Sequence, residues 1–306
     1  MHTGHKPAPP VNTANADVLK HLSDSLHTRS RRYRKQLRRC QRRFSEEAVH
    51  DSRVETRRLL AIVELLCAFL PEREVQKARR ALKRHLDTFD QLRDTQVQLV
   101  YVGRMTRVFP AARPFHGWLQ QREARFTRKT RKAVEHIKTK RLSLRIACFE
   151  KEICRQRKRT SRARAFEIEM REINQAFARV VQLCRRVKAA NTATIHRTRV
   201  AFKRFRYMVE ALSPLLPVVT EEHRRAMRGY QSLMGDIQDV EVLLAALDKF
   251  IRDQELKGES ARQLREELAR RRQWLIRVYL NAAGKLRAFW PPAGLAVSIQ
   301  PRKPKK

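Results

Sequence analysis

The chain has 306 residues, enough for one large domain or two small ones with a sizeable core. Its 69 Lys+Arg against 31 Asp+Glu give a net charge of +38, a balance that opposes compaction by self-repulsion and favours polyanionic partners: nucleic acid, anionic membrane or phosphate polymers. A hydrophobic content of 42% in helical spacing excludes a wholly disordered chain, and the longest apolar run, Leu59 to Leu70, is too short and too interrupted by Glu64 to span a bilayer.

Eight Gly, with long runs free of both Gly and Pro, predict a nearly all-helical protein. Residues 1–14 read as a polar, disordered tail without the apolar stretch of a signal peptide, so the expected location is cytoplasmic, without membrane insertion. The first helix is predicted over 15–43. Between Arg29 and Arg43 it holds nine Arg or Lys and no acid, and Arg31, Lys35, Arg38 and Arg42 share one face, forming a supporting basic stripe. Ser45 reads as an N-cap, with Glu46 and Glu47 in the first turn of a helix that ends before Pro71. A third helix starts near Glu72 and carries Lys77, Arg80 and Arg84 at i, i+3, i+7. Pro110 and Pro114 break the pattern, and a basic helical region follows over 115–152.

Residues 153–164 are expected to be a charged linker or an exposed helix, since six basic residues and no acid lie between Arg155 and Arg164. That divides the chain into a first half, 15–152, and a second, 165–292. The second half reads as a helix to about Ala190, one from Ile195 stopping near Pro214 and Pro217, one carrying Arg224, Arg225 and Arg228, and a long one closed by Pro291-Pro292. Residues 293–306 form a basic tail. Each half thus has about four helices, and the predicted fold is all-α: two tandem pseudo-symmetric four-helix bundles. Cys40, Cys67, Cys148, Cys154 and Cys184 are odd in number and lack a Cys-x-x-Cys pair, so neither a disulfide framework nor a zinc site is expected.

The halves repeat one another. At an offset of 146, Val49 to Leu66 aligns with Ile195 to Leu212, matching His50 with His196, Arg53 with Arg199, Arg58 with Arg204, and Val63-Glu64 with Val209-Glu210. In the second copy Ile195, Phe202, Phe205, Val209 and Leu212 form an apolar helical stripe. Beside it His196, Arg199, Lys203 and Arg206 step by three or four along one edge. The first copy reads His50, Arg53, Arg57, with Leu60 where another cation would continue the row. Like charges in such a row repel by roughly 0.2–0.5 kcal/mol per i,i+4 pair, so keeping the row twice implies an anionic partner. Pseudo-twofold symmetry would turn both edges towards a basic central groove or channel.

A second repeated element follows each copy, LDTFDQLRDTQV ending at Val97 and QSLMGDIQDVEV ending at Val242, aligned at an offset of 145 through Asp94 and Asp239. The pattern His-x-x-Arg-Val-x-x-[Arg/Lys]-Arg together with this element resembles the signature of the CHAD family, the conserved histidine α-helical domain, over roughly residues 20–290. Two departures stand out: Phe89-Asp90 in place of the family's usual Leu-Gly, and Gln238-Asp239 in place of Arg-Asp. The resemblance implies non-catalytic binding of inorganic polyphosphate, with association to polyphosphate granules. Carried over position by position, it implicates His50, Arg53, Arg57, Arg58, His196, Arg199, Lys203 and Arg204. Spacing adds Arg206, and spacing with charge adds Arg80, Arg84, Arg225 and Arg228 to the supporting set. Arg suits the task through bidentate, charge-assisted bonds to phosphate oxygens, and a neighbouring anion favours charged histidine.

Asp94 and Asp239 read as structural carboxylates that orient Arg or cap a turn. Glu167-Ile-Glu169-Met-Arg171 resembles the Glu-x-Glu-x-Lys signature of CYTH triphosphate tunnels, but its fifth residue is Arg and it falls in a helical stretch, so it is taken as chance. Without a Gly-rich phosphate loop, a nucleophile elbow or His-Glu-x-x-His, no catalytic residue, cofactor or metal is expected. The alternative is a weak, non-specific nucleic-acid binder. Against it, only 7% of residues are aromatic and these mostly fall at core positions, leaving no interleaved stacking platform.

Overall fold

A computed structural model describes residues 17–253 and 259–291; the expected tails at 1–14 and 293–306 lie outside them. Among the described residues the chain is all-α, with no named strand. Helix α1 (Val18–Arg42) starts where the Asp17 carboxylate accepts the Lys20 amide at 2.8 Å, and Ser45 does the same for the Ala48 amide at 3.2 Å to open α2 (Glu46–Leu65). After a short 3-10 turn and Pro71 come α3 (Glu72–Asp87) and α4 (Asp90–Met105), joined by the two-residue corner Thr88-Phe89.

The region predicted as one basic stretch over 115–152 is two helices, α5 (Arg113–Glu135) and α6 (Lys140–Arg159). The break at His136–Thr139 contains neither Gly nor Pro, so composition did not mark it. Residues 153–164 are the last turns of α6 and the start of α7 (Arg162–Cys184), with only Thr160 and Ser161 between the helices. Beyond α7 lie α8 (Thr192–Leu212), α9 (Glu221–Asp253) and α10 (Glu259–Ala282). Six helices therefore precede Thr160, where the pattern predicted about four.

The core does not stop between the halves. α2 packs on α1 and α3 in its own half and on α8 across the divide, while α4 packs on both α5 and α9. All five residues of the apolar stripe on α8, Ile195, Phe202, Phe205, Val209 and Leu212, are buried. Phe202 is the centre of an aromatic cluster, with ring centroids 5.0 Å from Tyr230, 5.7 Å from Phe289 and 6.0 Å from Phe205. Trp290 closes this cluster against Phe205 at 5.9 Å and donates its indole N–H to Asn174 Oδ1 at 2.5 Å. No described helix is long and apolar enough to cross a membrane, and the five cysteines are free.

Because Phe202 is wholly buried, Phe202→Ala loses both transfer energy and packing contacts. The expected cost is about 3–5 kcal/mol, read as a drop in the denaturant midpoint by circular dichroism.

Candidate functional site

The two signature helices, α2 and α8, form the floor of a groove of about 810 Å3 walled by α3 and α7, with Asp90 at one corner. From α2 come Arg53, Arg57 and Glu64, from α3 Arg79 and Lys83, from α7 Arg179, and from α8 Arg197, Arg199, Lys203 and Arg204 with His196. Nine cationic side chains thus meet three carboxylates, Glu64, Asp87 and Asp90.

Two of the carboxylates are engaged. Buried Glu64 holds Arg79 of α3 at 3.0 Å through one oxygen and Arg204 of α8 at 3.2 Å through the other, tying three helices at one end of the groove. At the other end Arg53, 7% exposed, donates to Asp90 Oδ1 at 3.0 Å and to the Leu86 carbonyl at 3.1 Å, with Phe89 under its guanidinium. Between these clamps Arg57, Arg199 and Lys203 have no carboxylate within ion-pair distance among the described residues, and the Nε of Arg199 is buried without a hydrogen-bond partner. An unpaired buried donor costs about 1–3 kcal/mol, which an incoming acceptor relieves.

The crowding shows in the acid–base chemistry. Burial, followed by the repulsion of Arg57, Arg199, Arg53 and Arg206, pushes the Lys203 ammonium down to about 7. Burial and then Arg53 also lower Arg57. The structure therefore concentrates positive charge where desolvation already disfavours it.

The sequence-expected residues divide clearly. Arg53, Arg57, His196, Arg199, Lys203 and Arg204 line the groove, and His196 Nδ1 lies 2.6 Å from Gln238 Oε1. His50 is exposed and outside the lining, and Arg58 turns to Glu55 at 2.8 Å. Arg206 is buried away from the lining, bonded to Gln231 at 2.8 Å and paired with Glu210. Of the supporting set, Arg80, Arg84 and Arg225 are exposed and Arg228 pairs with Glu221 and Glu210. Arg31, Lys35, Arg38 and Arg42 line a separate cleft of about 900 Å3 along the outer face of α1.

Four groove cations escaped the sequence reading: Arg79, Lys83, Arg179 and Arg197. On α3 the buried positions are Val75, Ala78 and Leu82, so the residues flanking them are 79 and 83, while Lys77, Arg80 and Arg84 point to the far side. A helical wheel centred on that apolar face would have found them. Asp94 and Asp239 make no ion pair, and burial raises both; the carboxylate that holds Arg53 is Asp90. Glu169 is fully buried on α7 with both oxygens unpartnered, while Glu167 pairs with Arg164 at 3.1 Å, so the near-miss tunnel motif does not gather carboxylates. Among the described residues no group of three or more His, Cys, Asp or Glu is placed to hold a metal ion.

A family model of the CHAD domain matches residues 24–248. The chain belongs to the CHAD domain family. That family is associated with polyphosphate. Among solved structures the chain resembles the CHAD domain from the plant Ricinus communis, with a TM-score of 0.64 at 18% identity, covering 96% of this chain and 99% of that one. It also resembles PptA from Streptomyces chartreusis, with a TM-score of 0.60 at 14% identity over 88% of this chain and 98% of that one. At these identities the likeness is one of fold. No curated protein gives a significant match. In this CHAD domain both copies of the motif supply groove cations, but the second supplies more of them than the first.

Lys203 carries a pH signature. Its folded pKa of about 7 lies below the ordinary lysine value of 10.5, so between those values the unfolded chain binds more protons and stability rises with pH. Below about 7 the cost of burying the charge is fully present. Relative to Lys203→Met, the wild-type protein should therefore gain stability from pH 7 to 10, measured as denaturant midpoints of both proteins across that range.

Proposed function

We propose that the groove between α2 and α8 binds inorganic polyphosphate without cleaving it. The observation that carries this reading is the row Arg57–Lys203–Arg199, three cations pressed together in the groove with no carboxylate within ion-pair distance among the described residues. Such a row is stabilised only when an anion enters, and a linear polymer of phosphates offers one negative group per step along the floor. Arg57 and Arg199 supply planar guanidinium forks, and Lys203 supplies a point charge between them. The family's association with polyphosphate supports the same ligand. Glu64 and Asp90 are both held by arginines, so two of the groove's three carboxylates are engaged in structure. Recruitment to polyphosphate granules in the cytoplasm would follow from binding alone.

A second reading rests on the outer face of α1. There Arg31, Arg32, Lys35, Arg38, Arg42 and Arg43 have no ion-pair partner among the described residues, and only Arg39 is neutralised, by Glu47 and Asp51. That cleft is open to solvent and no Phe, Tyr or Trp lines it, which fits weak, salt-sensitive contact with any polyanion, nucleic acid included.

The two readings separate by mutation at about 150 mM salt, where surface charges are screened beyond roughly 8 Å. Arg57→Gln with Arg199→Gln should weaken long-chain polyphosphate binding at least tenfold, about 1.4 kcal/mol, while Arg38→Gln with Arg42→Gln changes it little. Fluorescence anisotropy with labelled polyphosphate measures both. Equal losses in the two variants would instead make the charge an unspecific coat, and duplex DNA or single-stranded RNA would then compete as well as polyphosphate.

A further inference from the structure

The two repeats do not contribute equally to the groove, and one of the differences lies beneath the paired arginines Arg53 and Arg199. At the offset of 145 that relates the second repeated elements, Asp90 corresponds to Gly235 and Asp87 to Ser232. Arg53 and Arg199 are themselves related by the repeat. In the first half Arg53 rests on Asp90, its Nη1 3.0 Å from the carboxylate. In the second half Arg199 rests on Gly235 in the corresponding way: a Cβ at Gly235 would lie 3.7 Å from Arg199 Nε and 3.8 Å from Nη2. The helix surface under the two guanidinium groups is thus the same, but one carries a carboxylate and the other carries nothing.

The consequence is a groove with one loaded end. Arg53 is neutralised by Asp90 and also tied to the Leu86 carbonyl, whereas Arg199 has no ion-pair partner and an orphaned, buried Nε. Histidines follow the same split: His196 is fixed by Gln238, but His50 faces solvent outside the lining. Asp90 is half exposed while Arg53 is almost covered, so Asp90 can leave without opening the core.

Resting on the polyphosphate reading above, we propose that Asp90 is a built-in competitor: its carboxylate occupies the anion position of the first half, so that phosphate is held first by Arg199, Lys203 and Arg57 and reaches Arg53 only by displacing Asp90. Asp90 then sets how short an anion the groove can hold. A long polymer recovers the displacement cost over many contacts along the floor, whereas a short one depends on the few cations left free. Asp87, beside Asp90 on the same wall and raised by burial and by that neighbouring carboxylate, adds to the bias against the first half.

The test is isothermal titration of the full-length protein with tripolyphosphate and with long-chain polyphosphate at fixed salt and pH. Asp90→Asn should bind tripolyphosphate about tenfold more tightly than wild type, with a smaller gain for the long polymer, the gain being one freed charge-assisted arginine contact. Asp51→Asn is the matched control: it adds the same charge on the α1–α2 surface, where Asp51 pairs with Arg39 at 3.1 Å, and should leave both affinities in place. Asp90→Ser, which keeps a hydroxyl at the first turn of α4, covers the case in which the Asn variant is unstable. If the Asp90 variants bind tripolyphosphate no better, or more weakly because Asp90 merely orients Arg53, the competitor role is overturned while polyphosphate binding stands. An equal gain in Asp51→Asn also overturns it, by making the effect one of net charge. If wild-type binding is unmoved by Arg199→Gln with Lys203→Gln, the polyphosphate reading itself falls and this role falls with it.

Discussion

Everything in the groove depends on forcing cations together that would separate if they were free to do so. Arg53, Arg57, Arg199 and Lys203 come from two helices more than a hundred residues apart in sequence, and they share a floor because the opposite sides of those helices are locked in the core. On α8 the lock is Phe202, Phe205, Met208 and Val209; on α2 it is Leu59, Ile62 and Val63. Burying such side chains contributes roughly 1.5–3 kcal/mol each, well above the few tenths that each pair of like charges costs on an exposed helix. Packing wins, and the electrostatic cost is left in place as binding potential.

Glu64 shows how the fold limits that cost. A single buried carboxylate accepts from Arg79 and Arg204 and so joins α3, α2 and α8 at one point. Removing one partner of such a pair leaves an uncompensated buried charge, which is more damaging than the pair is favourable. Its repeat counterpart, Glu210, holds Arg206 and Arg228 on the far side of α8, so the repeat keeps the acid but turns it to a different task. The groove thus has a Glu64 clamp at one end, with no equivalent from Glu210.

How much of this was legible in the sequence varied with what each signal measures. Apolar spacing reports the buried side of a helix directly, and the stripe on α8 is buried residue for residue. A charge row is weaker, because steps of three and four drift around the helix. Four positions from His196 to Arg206 span ten residues, or about 1000° at 100° per residue, which turns Arg206 by about 80° towards the buried arc. There Gln231 and Glu210 hold it. On α3 the same kind of row leads to the solvent side, whereas the apolar face of Val75, Ala78 and Leu82, taken as the reference, points to the groove residues Arg79 and Lys83. The pairing of Arg53 with Asp90 was out of reach, since it depends on the corner at Thr88-Phe89 bringing the start of α4 under α2.

Lys203 has a further consequence, one of proton traffic. A lysine whose pKa is pushed down to about 7 by burial, and then by its cationic neighbours, is only partly charged in a neutral solution. An anion seated above it would stabilise the ammonium, so a polyanion binding there would draw a proton out of the solvent along with itself. The heat of such an association depends on which buffer gives up the proton, and acidification and ligand become interchangeable ways of charging the same nitrogen. A groove filled in this way would titrate as it fills.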